Sequence, residues 1–352
     1  MKTTMQLLAS ASMLAVATFT ASPAMAAGTA SGTTITNNVS VDFQVGGVSQ
    51  TQVTASDSFT VDRKVNLTVA EVGSTTTSVS PGQTAAVTAF TVTNVSNATL
   101  DLALVATQLS GGTAAHGGTD NFDVTGVGVF VDTNTSGGYD AGTDLAVTYL
   151  DQIIADASRT VFVVANVPLG RSTNDVAGVR LTATAREATA AGSMGAAVTE
   201  TSGANTAGVD TVFADTNANG NTPRDAIHFA EDDYTVVAAA LTATKTSRVV
   251  SDPFNGTTDP KMIPGAVIEY CIAVTNAAGS ATATNISVSD TLPGTTAYDS
   301  SFGILLNGTV TGATCNADGV AGGGHAAGVV SGTLNDIAAG VTRTLLFRVT
   351  VN

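Results

Sequence analysis

Residues 263–294 read IPGAVIEYCIAVTNAAGSATATNISVSDTLPG. Val267, Glu269, Cys271 and Ala273 fall on one side of an extended chain and Ile268, Tyr270, Ile272 and Val274 on the other, the period of two that a half-buried strand shows. A second alternating run, 285–290, comes after a small polar turn, and Pro293-Gly294 closes the unit. Paired strands of this kind build sandwiches, so the stretch predicts an all-β fold.

The rest of the composition agrees. The 352-residue chain is rich in Thr, Val, Ala and Gly, has no Trp, and carries 13 Lys+Arg against 28 Asp+Glu, a formal charge of −15. Thr and Val suit a pleated surface and Gly and Asn suit turns. The negative charge argues against nucleic acid or an anionic membrane as a direct partner, because both would repel the chain within a Debye length.

Residues 1–26 have the form of an export signal: Lys2, an apolar run over 7–19, and Ala24-Met25-Ala26 as a small-residue cleavage pattern. The run is shorter than the ~20 apolar residues a spanning helix needs. The mature chain is therefore expected to begin at Ala27, to be secreted to the extracellular space or cell surface, and to insert no segment into a membrane. In an exported chain the two cysteines, Cys271 and Cys315, are expected to form a disulfide rather than stay free.

Towards the N-terminus, 65–186 predicts a first immunoglobulin-like sandwich, with runs of alternating residues separated by Pro81-Gly82, Gly111-Gly112 and similar breakers. Residues 187–234 read as an Ala/Gly/Ser/Thr-rich linker and acidic loop region, with a short strand near 209–213, and 235–352 as a second sandwich with a flexible loop at 319–328. Ahead of both lies 27–64, an N-terminal β-arm: Val39, Val41, Phe43 and Val45 alternate with polar residues, and Gly46-Gly47 supplies a two-residue turn. Such an arm pairs within its own chain or donates a strand to a neighbour. The two sandwiches also repeat one another. Thr93-Asn94 and Thr275-Asn276 each end a strand, and DQIIADASRTVFVVANV at 151–167 parallels NDIAAGVTRTLLFRVTV at 335–351.

On these motifs, Thr275-Asn276, Asp290 to Pro293 and the closing AAGVTRTLLFRVTV, residues 240–352 resemble the conserved repeat domain of bacterial surface proteins known as domain of unknown function eleven. Residues 65–186 resemble it loosely. The resemblance implies an extracellular immunoglobulin-like sandwich used in surface or filament proteins, and no catalytic residues or defined ligand.

Two loops suggest cations. Asp132, Asn134, Ser136, Asp140 and Asp144 place oxygens around a Gly pair and resemble a calcium loop, although Thr143-Asp144 stands where an EF-hand has its bidentate Glu. The alternative is an Asx-rich turn without metal. VFADTNANG at 212–220 echoes VFVDTNTSG at 129–137, so Asp215, Asn217, Asn219 and Asp225 make a weaker second calcium candidate. His116, His228 and His325 belong to no catalytic motif and are expected at the surface, which argues against an enzyme. Sequons at Asn38, Asn66, Asn94, Asn97, Asn134, Asn255, Asn285 and Asn307 admit glycan modification. The function expected is a secreted structural subunit that self-associates head to tail into a filament or surface layer, with a calcium-stabilised adhesin as the alternative.

Overall fold

A computed structural model describes residues 28–217 and 220–352. The expected export signal and Asn219 lie outside the described residues. Within them the regular elements are strands, with no α-helix, and no helix is long and apolar enough to cross a membrane.

The first sandwich packs two sheets face to face. One runs Leu145–Ala146, Thr125–Val131, Ser158–Asn166, Ala86–Asn94, Leu67–Glu71; the other runs Tyr149–Ile153, Leu100–Gln108, Val176–Ala188, Ile227–Val236, Thr77–Val79. Ala86–Asn94 shows why: AVTAFTVTN buries every second residue, so Phe90 and Val92 enter the core while the threonines at 91 and 93 stay nearer the outer face. Leu67, Leu100, Leu102, Leu181 and Tyr234 meet them from the other strands, all fully buried.

Residues 187–234 are not a linker. Ile227–Val236 pairs antiparallel with Val176–Ala188, from Val176 opposite Thr235 to Thr184 opposite Ile227, and Thr211–Phe213 pairs in parallel with Arg63–Val65. In IHFAEDDYTV the inward positions are His228, Ala230, Asp232, Tyr234 and Val236. Three of the five are titratable, so the strand lacks the apolar alternation that marks its neighbours. Polar pegs hold it in place: the Tyr234 hydroxyl donates to the Val163 carbonyl at 2.9 Å, and the Val69 N–H donates to His228 Nδ1 at 3.0 Å. His228 is thus buried rather than on the surface, and its desolvation holds the imidazole below its usual pKa.

In the second sandwich the larger sheet runs Leu241–Ser251, Val267–Asn276, Thr342–Val351, Ile304–Gly308, Val320–Ala321, and faces a smaller one of Ile286–Thr291, Val329–Leu334, Gly324–Ala326. Residues 319–328 therefore contribute two short strands in place of the flexible loop their glycines suggest. Cys271 and Cys315 are joined, with Cα atoms 5.4 Å apart across 44 residues of sequence. The bond lies on the outer side of the larger sheet, packed with Leu346, Phe302 and Leu305.

The repeated Thr-Asn motif has one structural meaning in both sandwiches. Asn94 and Asn276 are fully buried strand ends. Asn94 Nδ2 donates to the carbonyls of Ala98 and Ile153; Asn276 Nδ2 donates to those of Ala281 and Ile337. Each side chain closes a loop onto the core, and a buried carbonyl left unpaired would cost about 1–3 kcal/mol. Asn94 and Asn97 are sequons whose amides are spent on such bonds, Asn97 on the carbonyls of Thr29 and Asp62.

Candidate functional site

The N-terminal arm is a hairpin of Thr34–Val41 and Val53–Thr60 in unbroken antiparallel register from Thr34 opposite Thr60 to Val41 opposite Val53. It is capped by Gln44–Val45 and Val48–Ser49 around Gly46-Gly47, both with positive φ, as a tight two-residue hairpin turn requires. Residues directly opposite in such a pair share a face. Ile35 with Phe59, Val39 with Ala55 and Val41 with Val53 therefore form one apolar face, interrupted by Asn37 and Asp57, while Thr36 with Ser58 and Ser40 with Thr54 form a polar one. The apolar face has no cover among the described residues: Val39 is 55% exposed, Val41 51%, Val53 56% and Phe59 60%. Its base is anchored on the first sandwich by the Ser31 N–H, which donates to the Asn97 carbonyl, and by the Arg63–Glu187 ion pair. A two-stranded hairpin alone in water is marginal, and this one presents its greasy side to solvent.

At the opposite end of the sequence the second sandwich is open along one side. In the first sandwich Leu100–Gln108 is flanked by Tyr149–Ile153 and, on its other edge, by Val176–Ala188 and then Ile227–Val236. Ile286–Thr291, which comes after the buried Asn just as Leu100–Gln108 does, pairs with Val329–Leu334 on one edge only. Where the first sandwich has two further strands, the second has a groove of about 450 Å³ between Leu241–Ser251 and Ile286–Thr291, floored by Ile272, Val274 and Ile286. These floor residues keep 6–8% exposure, against 0% for Leu100, Leu102 and Leu181. Lys245 bridges the groove to Asp290 at 2.6 Å, its Nζ also lying 4.5 Å from the Tyr270 ring centre.

The sequence-derived calcium residues are brought together as a hydrogen-bonded turn. Asp132 accepts the N–H groups of Ser136 and Gly137, and Asp144 those of Thr133 and Asp140. The Asp140 carboxyl is held below its usual pKa by hydrogen bonds from Asn134 and Ser136. In the second loop Asp215 accepts the N–H groups of Asp225 and Ala226, and burial raises the Asp225 pKa. Both loops are closed by their own bonds.

A different set of residues does converge. Ligand atoms of Glu71, His116 and Asp232 lie within 4.8 Å of one another. Glu71 ends the edge strand of one sheet of the first sandwich, Asp232 lies on Ile227–Val236 of the other, and His116 comes from the loop after Leu100–Gln108. Burial pushes the Asp232 carboxyl up to about 7.

No protein-family model matches the chain, and no curated protein matches it. A solved structure from Corynebacterium diphtheriae, of a protein described as membrane anchored, aligns over 91% of this chain and 89% of its own at 12% identity and a TM-score of 0.20. A likeness that low carries no functional argument.

The arm is visible in the sequence; the groove and the His116 cluster are not. The groove is a missing neighbour, apparent only when the two halves of the repeat are set side by side and the strands after each buried Asn are compared. His116 sits among glycines, a setting that suggests exposure, yet its backbone N–H donates to Asp233 Oδ2 at 2.7 Å and its ring turns inward.

Proposed function

We propose that this protein is an extracellular structural subunit that polymerises head to tail, the arm of one copy completing the open edge of the second sandwich of the next. The observation that carries the reading is the pairing of two unfinished surfaces. One is an exposed hairpin with an apolar face; the other is a sandwich edge lacking the two strands its sister sandwich has. Added to the free edge of Ile286–Thr291, the hairpin would stand where Val176–Ala188 and Ile227–Val236 stand in the first sandwich, apolar face toward Ile272 and Val274, by strand addition. Eight-residue arm strands exceed the six-residue edge they would cover. Asp57 on the apolar face and Lys245 in the groove are of opposite charge, and residues 28–60 carry no Lys or Arg.

Contact between two different surfaces propagates as a filament when its rotation does not close into a ring or a reciprocal exchange. The disulfide, the export-signal pattern and the resemblance of residues 240–352 to bacterial surface-protein repeats all support a site of action outside the cytoplasm. Removing residues 28–60 is expected to leave folded, disulfide-bonded monomers that form no fibres by electron microscopy. Fibres of normal length from the truncated protein would refute arm-mediated assembly.

A further inference from the structure

His116 is held at the centre of an acidic cluster by a loop that is itself pinned. Asp120 accepts the Gly111 N–H at 2.6 Å and the Gly178 N–H at 2.8 Å, tying both ends of the His116 loop to the first sandwich. His116 Nδ1 then lies 3.5 Å from Asp232 Oδ1 and 3.3 Å from Asp233 Oδ2, and Nε2 lies 3.7 Å from Glu71 Oε2. One imidazole gives one nitrogen to an ion. One ring nitrogen of His116, one Glu71 oxygen and one Asp232 oxygen lie within 4.8 Å of one another, and drawing in to the about 3.3–3.6 Å between ligand atoms of a tetrahedral ion with bonds of about 2.0–2.2 Å would bring all three onto one cation.

Charge and hydrogen bonding point the same way. Asp232 and Asp233 are 2% and 0% exposed, and among the described residues no lysine or arginine is ion-paired with them or with Glu71. His116 Nδ1 and the buried Asp233 Oδ1 have no hydrogen-bond partner. Three carboxyl groups packed against one imidazole, two of them out of water, repel one another when ionised unless a proton or a cation joins them. Imidazole together with carboxylate favours a first-row divalent metal over the hard, all-oxygen cations.

We propose that Glu71, His116 and Asp232 bind one divalent transition-metal cation, with Asp233 at its border, clamping the edges of the two sheets and the His116 loop together. The site is distinct from the loops at 132–144 and 215–225 and from the arm and groove. Its role is to fasten the first sandwich where Leu67–Glu71 and Ile227–Val236 meet.

The test uses the full mature chain, stripped with chelator and titrated with zinc chloride in a calorimeter. One zinc per chain is expected, with a melting temperature raised by about 5–10 °C at a hundredfold excess over Kd. His116→Ala and Asp232→Asn, each checked for a native disulfide and circular dichroism, should each weaken zinc binding at least tenfold, while Asp140→Asn in the 132–144 loop leaves it unchanged. Should either substitution fail to fold, Glu71→Gln at the partly exposed edge provides the same readout. The proposal is overturned if wild type takes up no zinc, as when a proton on His116 alone closes the cluster, or if zinc binding survives loss of the imidazole.

Discussion

The two sandwiches share a strand pattern and a buried Asn peg, yet one is finished and the other is not. In the first, Leu100–Gln108 is joined in its sheet by Val176–Ala188 and Ile227–Val236, and the space between the sheets is sealed by Tyr234, His228 and the Asp232 cluster. In the second, the equivalent edge is bare and a groove opens onto Ile272, Val274 and Ile286. A sandwich can hold together with one side unsealed when a covalent staple compensates: the disulfide belongs to the open sandwich, and the closed one has none.

Core truncation should separate the two most strongly. Leu181→Ala removes a fully buried side chain from a closed core and should cost about 3–5 kcal/mol in the first sandwich's unfolding transition. Ile286→Ala, at the groove floor, should cost about 2 kcal/mol or less in the free subunit and more in assembled material, measured by denaturation of each form. Equal costs in the free subunit would mean that the second sandwich is as closed as the first.

Next comes the staple. Reducing or replacing Cys271 and Cys315 together should lower the stability of the second sandwich by about 3–4 kcal/mol and leave the first unchanged, read as separate transitions in calorimetry. The Asn pegs, by contrast, should behave alike. Asn94→Ala and Asn276→Ala each remove two side-chain bonds, one of them to a buried carbonyl, and should each cost about 1–3 kcal/mol in their own sandwich.

Acid should have a milder effect, read most directly in the second sandwich at Asp252. Asp252, in the turn leading to Val267–Asn276, accepts the N–H groups of Asn255, Lys261 and Phe254, and the Asn255 bond above all draws its pKa down to about 2. A carboxylate whose folded pKa lies below its unfolded one stabilises fully above about pH 4 and loses that contribution as pH falls toward about 2. Asp252→Asn should flatten this part of the second sandwich's stability profile between about pH 5 and 2.

Much of the fold is legible in the chain itself. Val267–Asn276 alternates cleanly, Gly46-Gly47 announces its turn, and an even cysteine pair in a chain that opens on an export-signal pattern implies its bond. Ile227–Val236 is not legible, because Asp232 and His228 occupy inward positions where apolar residues mark a strand. The Asp132–Asp144 loop is legible as a turn, and its Asp132 and Asp144 carboxylates accept backbone N–H groups of the same loop; the same residue types serve Asx turns and calcium loops alike. The arm's alternation is visible, but not that its apolar face stands uncovered, since exposure depends on what fails to pack against it.

If the open edge of the second sandwich receives the arm of another copy, the contact can be caught chemically. A photo-crosslinking residue is placed at Val39, on the arm's apolar face, with Ser40 on the polar face as control. Mass spectrometry of the fibres should map Val39 crosslinks to residues 241–245 and 286–290 of a different molecule, with few from Ser40. Crosslinks from Val39 confined to its own chain, or falling on the first sandwich of a neighbour, would rule out this mode of assembly.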